Sequence, residues 1–547
     1  MLPAANIELL GIQMGRIVVK KVTIWIFVLI IFMPITLSQI EKITGEKIDV
    51  ALLGYSDSAE RPELTISTFL DGSFQIGYGN WTEENMPLRG VLTKTYNTIR
   101  YEAFDLGNRP IGNNGSIYEP EYLNAELAIG PFDYSTPERV EELQNMIAHI
   151  VSVNSKLRQI GKYLYVYIAP SKADIYPEDM PGNYVALSEP GAVNVKDLFR
   201  EKISATDVPY LICSDMADEL EYPAFYPTGI HWSRTYQQLV SQRVIDDLSA
   251  LSGENYRNII IPRGRAIRST EPFWIESDVY DLLNVWIYPN IDYYEYPVEI
   301  TESEFAAALN MLLMGDSFAD GLKKDIEDNI LEDTIFAVNR NSFMVEPNGT
   351  VHYIDGNWNN FDWQRYLDLS DFILVEATEP QIIHYTFGFI DYLDSYLDDY
   401  VPMEKATYYA FELDGNNEET WNASCSVGVW QKENGVAWIK PNCRIALSSK
   451  NISDHGLEID YYVPQQSVAE EPEQVEIRIN GTVVYEGVYT SPTEEKIIIK
   501  PDEFVPDKND DYIVTIRCSN SFNPYANGES MDNRDLALAL RYIGGTR

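Results

Sequence analysis

The feature that most constrains this chain is a change of hydrophobic rhythm near residue 404. Before it, helical stripes alternate with short, continuous apolar runs. A stripe of Val140, Leu143, Met146, Ile147, Ile150, Val151 and Leu157 predicts a helix over about 136–160. Thr136 or Ser135 can cap that helix, and Pro137 suits its first turn. The run Tyr163 to Ala169 then reads as a strand buried on both faces. A helix over about 191–202, a strand at 210–212 and a helix over about 232–250 follow. Further strands are expected at Leu312-Leu313-Met314, ended by Gly315, and at Asp371 to Glu376. This order predicts an α/β domain with a mostly parallel sheet flanked by helices.

Past residue 404 the period shortens to two. Val427 to Trp430, Leu457 to Tyr462, Val475 to Gly481 and Tyr512 to Ile516 read as short strands separated by turns, an all-β sandwich. Residues 40–130 read as short strand-like and loop segments, for example Leu64 to Phe69 and Ser73 to Tyr78. The expected division is therefore 1–39, 40–403 and 404–547.

The first of these segments carries Arg16, Lys20 and Lys21 before an apolar run from Val22 to Leu37. Basic residues before such a run predict a signal anchor, a single membrane pass that leaves the remainder outside the cytoplasm. The formal net charge is −43, from 84 acidic and 41 basic residues. A phosphate backbone would be repelled by that surface, so no nucleic-acid partner is expected. A polyanionic polymer fits it poorly as well. The four cysteines form no CxxC pair and only five histidines are present, so no metal site or cofactor is expected. Cys425 and Cys443 are either a disulfide or two reduced thiols. Tyr is frequent at 37, and Trp421, Trp430 and Trp438 fall in the β region. Rings there serve sandwich packing or glycan stacking.

The chemistry points to Gly315-Asp316-Ser317-Phe318. In open α/β sheets ligands bind at the carboxyl ends of strands, and a Ser in the turn there projects into that crevice. Its own backbone N–H can serve an oxyanion. A serine nucleophile needs a base. Among His149, His231, His352, His384 and His455, only His231 stands in a strand-to-helix loop of the same sheet, in Thr228-Gly229-Ile230-His231-Trp232-Ser233.

With His231-Trp232 first and Gly315-Asp316-Ser317-Phe318 later, the chain resembles the SGNH-hydrolase-like alginate O-acetyltransferase family of the AlgJ/AlgX type. Ile168-Ala169-Pro170-Ser171-Lys172, Tyr176-Pro177 and the Phe372 to Glu376 strand agree with it. The β region resembles carbohydrate-binding modules. The resemblance implies that Ser317, with His231 as base, takes up an acetyl group and passes it to a hydroxyl of a cell-envelope polysaccharide. It also implies a membrane-bound O-acyltransferase that supplies the acetyl group. Lys172, Tyr176 and Trp232 are the residues expected at the substrate, with Lys172 either meeting a sugar there or capping a loop. One departure stands out: where the family has its triad Asp, this chain has Gly229. Asp316, Asp320, Asp278 and Glu376 are the acids that could stand in. An acetyl-esterase, or a non-catalytic glycan-binding scaffold, is the alternative that this departure leaves open.

Overall fold

The computed structural model describes residues 20–25, 28, 32–54, 60–104, 109–254, 256–300, 309–329, 334–346, 349–402, 408–410, 426–450, 452–506, 511–524, 532 and 534–547. The chain divides into two compact units. One comprises Met1–Ile111 with Ser277–Ile291, the other Gly112–Glu276 with Asp292–Arg547. These boundaries differ from those expected from the sequence.

The first unit corrects the reading of residues 64–78. Leu64 to Phe69 and Ser73 to Tyr78 are not strands: they fall in and beside the helices Ile66–Leu70 and Ser73–Asn85, and a third helix spans Arg89–Phe104. Thr65 decides the local choice, because its hydroxyl caps Thr68 N–H while the Thr68 hydroxyl caps Thr65 N–H. Among the described residues, no helix is long and apolar enough to cross a membrane.

The larger unit is built on a seven-stranded sheet. Its strands are β1 (Tyr163–Ala169), β2 (Tyr210–Ile212), β3 (Asn310–Gly315), β4 (Thr334–Asn339), β5 (Phe343–Val345), β6 (Val351–Tyr353) and β7 (Phe372–Thr378). Their order is β6-β5-β4-β3-β7-β1-β2. The five strands from β4 to β2 are parallel, and β5 and β6 form an antiparallel margin. Every residue of β3 and β7 is buried, which explains their unbroken apolar character.

Alternate residues feed two cores. Leu164, Val166, Leu312, Met314, Ile373 and Val375 pack under α1 (Pro137–Gln159), α2 (Val195–Ile203), α5 (Trp363–Leu369) and α6 (Phe389–Tyr396). Tyr165, Tyr167, Met311, Leu313 and Leu374 pack under α3 (Arg234–Ser252) and α4 (Asp320–Asn329). The helix α1 begins as its sequence requires, with Thr136 as the cap and Pro137 in the first turn.

The C-terminal region is a large β-sheet domain. Its strands are β8 (Tyr408–Ala410), β9 (Ser426–Glu433), β10 (Val436–Ser448), β11 (Leu457–Val463), β12 (Glu473–Ile479), β13 (Thr482–Tyr489), β14 (Thr493–Ile499), β15 (Asp511–Cys518) and β16 (Ala539–Gly545). They join in one antiparallel sheet rather than in two separate ones. Strand β10 makes the join by pairing β15 along one half and β16 along the other.

This domain meets the α/β sheet at the amino ends of its strands. The buried Arg444 of β10 donates to Asn310 Oδ1 at the start of β3, and Asn310 Nδ2 donates to Asp371 Oδ2 at 3.0 Å. At about 3.3 Å per residue, β3 separates this junction from Ser317 by roughly 20 Å.

Trp430 lies between Lys440 at 4.9 Å and Arg534 at 5.6 Å, and its indole N–H donates to Asp535 O. Trp438 packs on Phe522. Trp421 and Cys425 lie outside the described residues. Cys213, Cys443 and Cys518 are free, buried thiols.

Candidate active site

Ser317 follows β3 directly, in a turn whose hydrogen bonds are almost all committed. Asp316 N–H donates to Glu376 Oε2 on the neighbouring β7 at 3.0 Å. Phe318 N–H donates to Asp316 Oδ1 at 2.9 Å, and Ala319 N–H to Asp316 O at 3.1 Å. The N–H of Ser317 itself makes no hydrogen bond among the described residues. The turn needs Gly315: a Cβ there would stand 2.7 Å from Ala319 Cβ and 2.8 Å from Glu376 Oε2.

His231 Nε2 lies 2.7 Å from Ser317 Oγ. For the serine hydroxyl to donate to Nε2, the imidazole proton must sit on Nδ1. The ring packs against Phe318 at 4.7 Å between centroids.

Its loop is held from several directions. Ser233 caps α3 and donates its N–H to Ala224 O at 2.7 Å. Arg234 N–H donates to Glu276 Oε1, and the Thr228 hydroxyl donates to Glu276 O.

The three residues expected at the substrate turn out to build this loop instead. Lys172 is buried, its Nζ donating to Ile117 O at 3.1 Å and Pro227 O at 3.2 Å. The Tyr176 hydroxyl accepts the Ala224 N–H at 2.9 Å. Trp232 is buried between Phe318 and Tyr236. Each side chain turns to the protein, because carbonyls and apolar faces there demand a partner.

The candidate acids separate as well. Asp316 and Glu376 belong to the nucleophile turn. Burial, reinforced by the Asp316 charge, holds Glu376 well above the usual carboxyl range. Asp320 opens α4. It is open to solvent, yet the surrounding protein raises it, while Lys323 and His231 draw it down. Asp278 opens the helix Asp278–Leu282 of the other unit. Gly229 offers no side chain.

A second acidic cluster lies at the same edge of the sheet. Glu126, Asp174 and Glu379 bring carboxylate oxygens within 4.8 Å of one another, a spacing that would suit a metal ion. The ammonium of Lys196 fills their centre, 2.7 Å from Glu379 Oε1 and 3.4 Å from Glu126 Oε2, and paired with Asp174. Burial and the Glu379 charge push Glu126 up to about 8.

Two neighbours of the nucleophile turn were not singled out from the sequence. Arg340, in the left-handed region at φ 51°, donates its N–H to Gly315 O at 2.9 Å. Its exposed guanidinium lies over Phe387 and 4.0 Å from Asp316 Oδ2. Tyr122 packs against Phe318 at 6.4 Å between centroids, and burial and the Asp316 charge raise its phenol; the nearby Thr378 hydroxyl lies 3.5 Å from Asp316 Oδ2. Both come from loops without a motif, so only the fold brings them here. Beside the turn, a cleft of about 460 Å³ is lined by Asp316, Asp320, Lys323, Asn339, Phe343 and Trp274 among others.

Residues 132–258 match the family model described as SGNH hydrolase-like domain, acetyltransferase AlgX. Over that stretch the chain is similar to proteins of the AlgJ/AlgX type. Two curated relatives carry the name "Probable alginate O-acetylase AlgJ". The one from Pseudomonas aeruginosa is 23% identical over 198 residues, covering 35% of this chain and 45% of its own. The one from Pseudomonas fluorescens is 21% identical over 219 residues, covering 38% and 50%. The chain thus spans about half the length of the curated relatives it matches. The solved O-acetyltransferase domain of Pseudomonas putida AlgJ aligns at 14% identity with a TM-score of 0.33. That alignment covers 53% of this chain and all of that one.

Proposed function

We propose that this chain is a serine-dependent O-acyltransferase that moves an acetyl group to hydroxyls of a cell-envelope polysaccharide. The observation that carries this reading is the 2.7 Å approach of His231 Nε2 to Ser317 Oγ, at the carboxyl end of a central strand and beside an uncommitted Ser317 N–H. The matched family model supports the acetyl group as cargo.

In this reading the transfer runs in two halves. Ser317 Oγ attacks the acetyl carbonyl carbon while its proton passes to His231 Nε2. The Ser317 N–H faces the oxyanion that forms. Collapse breaks the bond to the donor oxygen, which leaves with the proton from His231. A sugar hydroxyl then attacks the acetyl-serine, His231 takes that hydroxyl's proton, and Ser317 Oγ leaves with it. The product is an acetyl ester, and the enzyme is restored.

The acetyl supplier in this reading is a membrane-bound O-acyltransferase, and the basic and apolar N-terminal segment anchors the chain beside it in the membrane. The β-sheet domain holds the glycan at a distance from the chemistry. The acid that orients His231 comes from a position other than 229.

The test incubates the full chain with an acetyl-ester donor and a neutral glycan acceptor and measures glycan-bound acetyl. Wild type is expected to acetylate the glycan. Ser317→Ala and His231→Ala are each expected to fall by about 10⁴-fold or more, the size of loss seen when a member of such a constellation is removed. Equal transfer by all three proteins would overturn the reading. Acetate release with no glycan ester would replace it by an esterase.

A further inference from the structure

Glu376 is a fully buried ionisable group that the proposed acyl transfer does not use. It sits on β7 next to Gly315 of β3, since Val375 pairs with Met314. Alternation along the strand turns it to the α3 and α4 face with Tyr167, its register partner on β1. There its side chain fills the space that a Gly315 Cβ would need, and Oε2 accepts the Asp316 N–H. The glycine and the glutamate are thus complementary: one vacates the volume, and the other uses it to hold the peptide that precedes the nucleophile.

We propose that Glu376 is a positioning residue whose carboxyl grips the Asp316 peptide from the neighbouring strand. It thereby keeps the Gly315–Ala319 turn in the conformation that leaves the Ser317 N–H free for an oxyanion. This rests on the acyl-transfer reading above. Without the grip, the Asp316 N–H lacks an acceptor in a buried place, and the turn must rotate to find one. Rotation redirects the next N–H, which belongs to Ser317.

The surroundings fix which form of the carboxyl does this. The groups facing Glu376 are Asp316, Asp320, Tyr122, Tyr167 and Cys213, all acidic or neutral. A neutral carboxylic acid fits them: Oε2 keeps the Asp316 N–H, and Oε1, buried with no hydrogen-bond partner among the described residues, carries no charge. A glutamine keeps the hydrogen bond that matters, because its carbonyl oxygen accepts the Asp316 N–H as Oε2 does.

The experiment uses the full chain with p-nitrophenyl acetate, and compares wild type, Glu376→Gln, Glu376→Met and Ser317→Ala by kcat, KM and pH profile. The expected result is a fall in kcat of about tenfold to hundredfold for Glu376→Met, approaching the loss of an oxyanion donor. Its KM should stay near that of wild type. Glu376→Gln should keep kcat within about threefold of wild type, with an unchanged profile from about pH 6 to about pH 9. A folded Glu376→Met with wild-type kcat would overturn the proposal. So would a folded Glu376→Gln as impaired as Glu376→Met. If Glu376→Met does not fold, the Gln variant decides alone. Turnover surviving in Ser317→Ala would instead overturn the underlying reading.

Discussion

Glu376 and Glu379 stand three residues apart on and just after one strand, both buried and both held above the usual carboxyl range by burial, yet they are given different partners. Glu379 shares Lys196 with Glu126 and Asp174, so its charge is met by a charge. Glu376 faces Asp316 and a set of phenols and a thiol, and its carboxyl range is shifted well upward by burial. The first cluster is built to hold loops together around an ammonium. The second is built around a peptide N–H, next to a serine that a histidine already approaches. Burying a carboxyl with a cation makes an anchor. Burying one without a cation makes a hydrogen-bonding group, and that is the one found under the nucleophile.

Three changes would break or sharpen this contrast. The largest effect is expected for Lys196→Met. It leaves the carboxyls of Glu126, Asp174 and Glu379 crowded around an apolar side chain, a loss of about 3–5 kcal/mol by the usual cost of breaking a buried ion pair. Chemical denaturation should show that loss, while turnover per folded molecule stays near wild type. A fall in turnover without a fall in stability would place the lysine cluster in the chemistry and erase the contrast.

Next comes Gly315→Ala. Its Cβ would press on Ala319 and Glu376. Overpacking of that kind costs about 1–3 kcal/mol. Here kcat should fall as well, because the strain lands on the nucleophile turn. A stable, fully active Gly315→Ala would show that the turn tolerates movement.

The smallest effect concerns pH. Glu126 is raised in the folded state from an ordinary 4.5 to about 8. Between those values the folded form holds a proton that the unfolded form has released. Its contribution to stability is therefore complete below about pH 4.5 and is lost as pH rises through about 8. Tm should decline over that window in wild type, and Glu126→Gln should flatten the decline. An unchanged slope would remove Glu126 as its source.

How much of this was legible in the sequence depends on the kind of signal. The parallel sheet was, because β3 and β7 are buried on both faces and must read as unbroken apolar runs. The approach of Ser317 and His231 was legible from a turn after one strand and a loop before one helix. The entry segment was not. Short apolar stretches such as Leu64 to Phe69 carry too few residues to separate a period of two from one of 3.6, and the reciprocal Thr65–Thr68 cap settles them as helix. For Lys172 the sequence left a sugar and a loop cap open, and for Tyr176 it gave a substrate role; both side chains turn to the protein. A polar side chain by a cleft reads the same whether it meets a ligand or a carbonyl, and here Pro227 O and Ala224 N–H are the partners. Arg340 and Tyr122 had no motif at all, since their nearness to Asp316 is created only by strand order.

The central claim is that Ser317 carries the acyl group. The most direct measurement is the mass of the full chain, and of its Ser317 peptide, after rapid acid quench of turnover with an acetyl-ester donor. The account predicts one added acetyl group on the peptide that contains Ser317, absent in Ser317→Ala and strongly reduced in His231→Ala. An unmodified Ser317 peptide during active turnover, or an acetyl group carried on another residue that persists in Ser317→Ala, would contradict it.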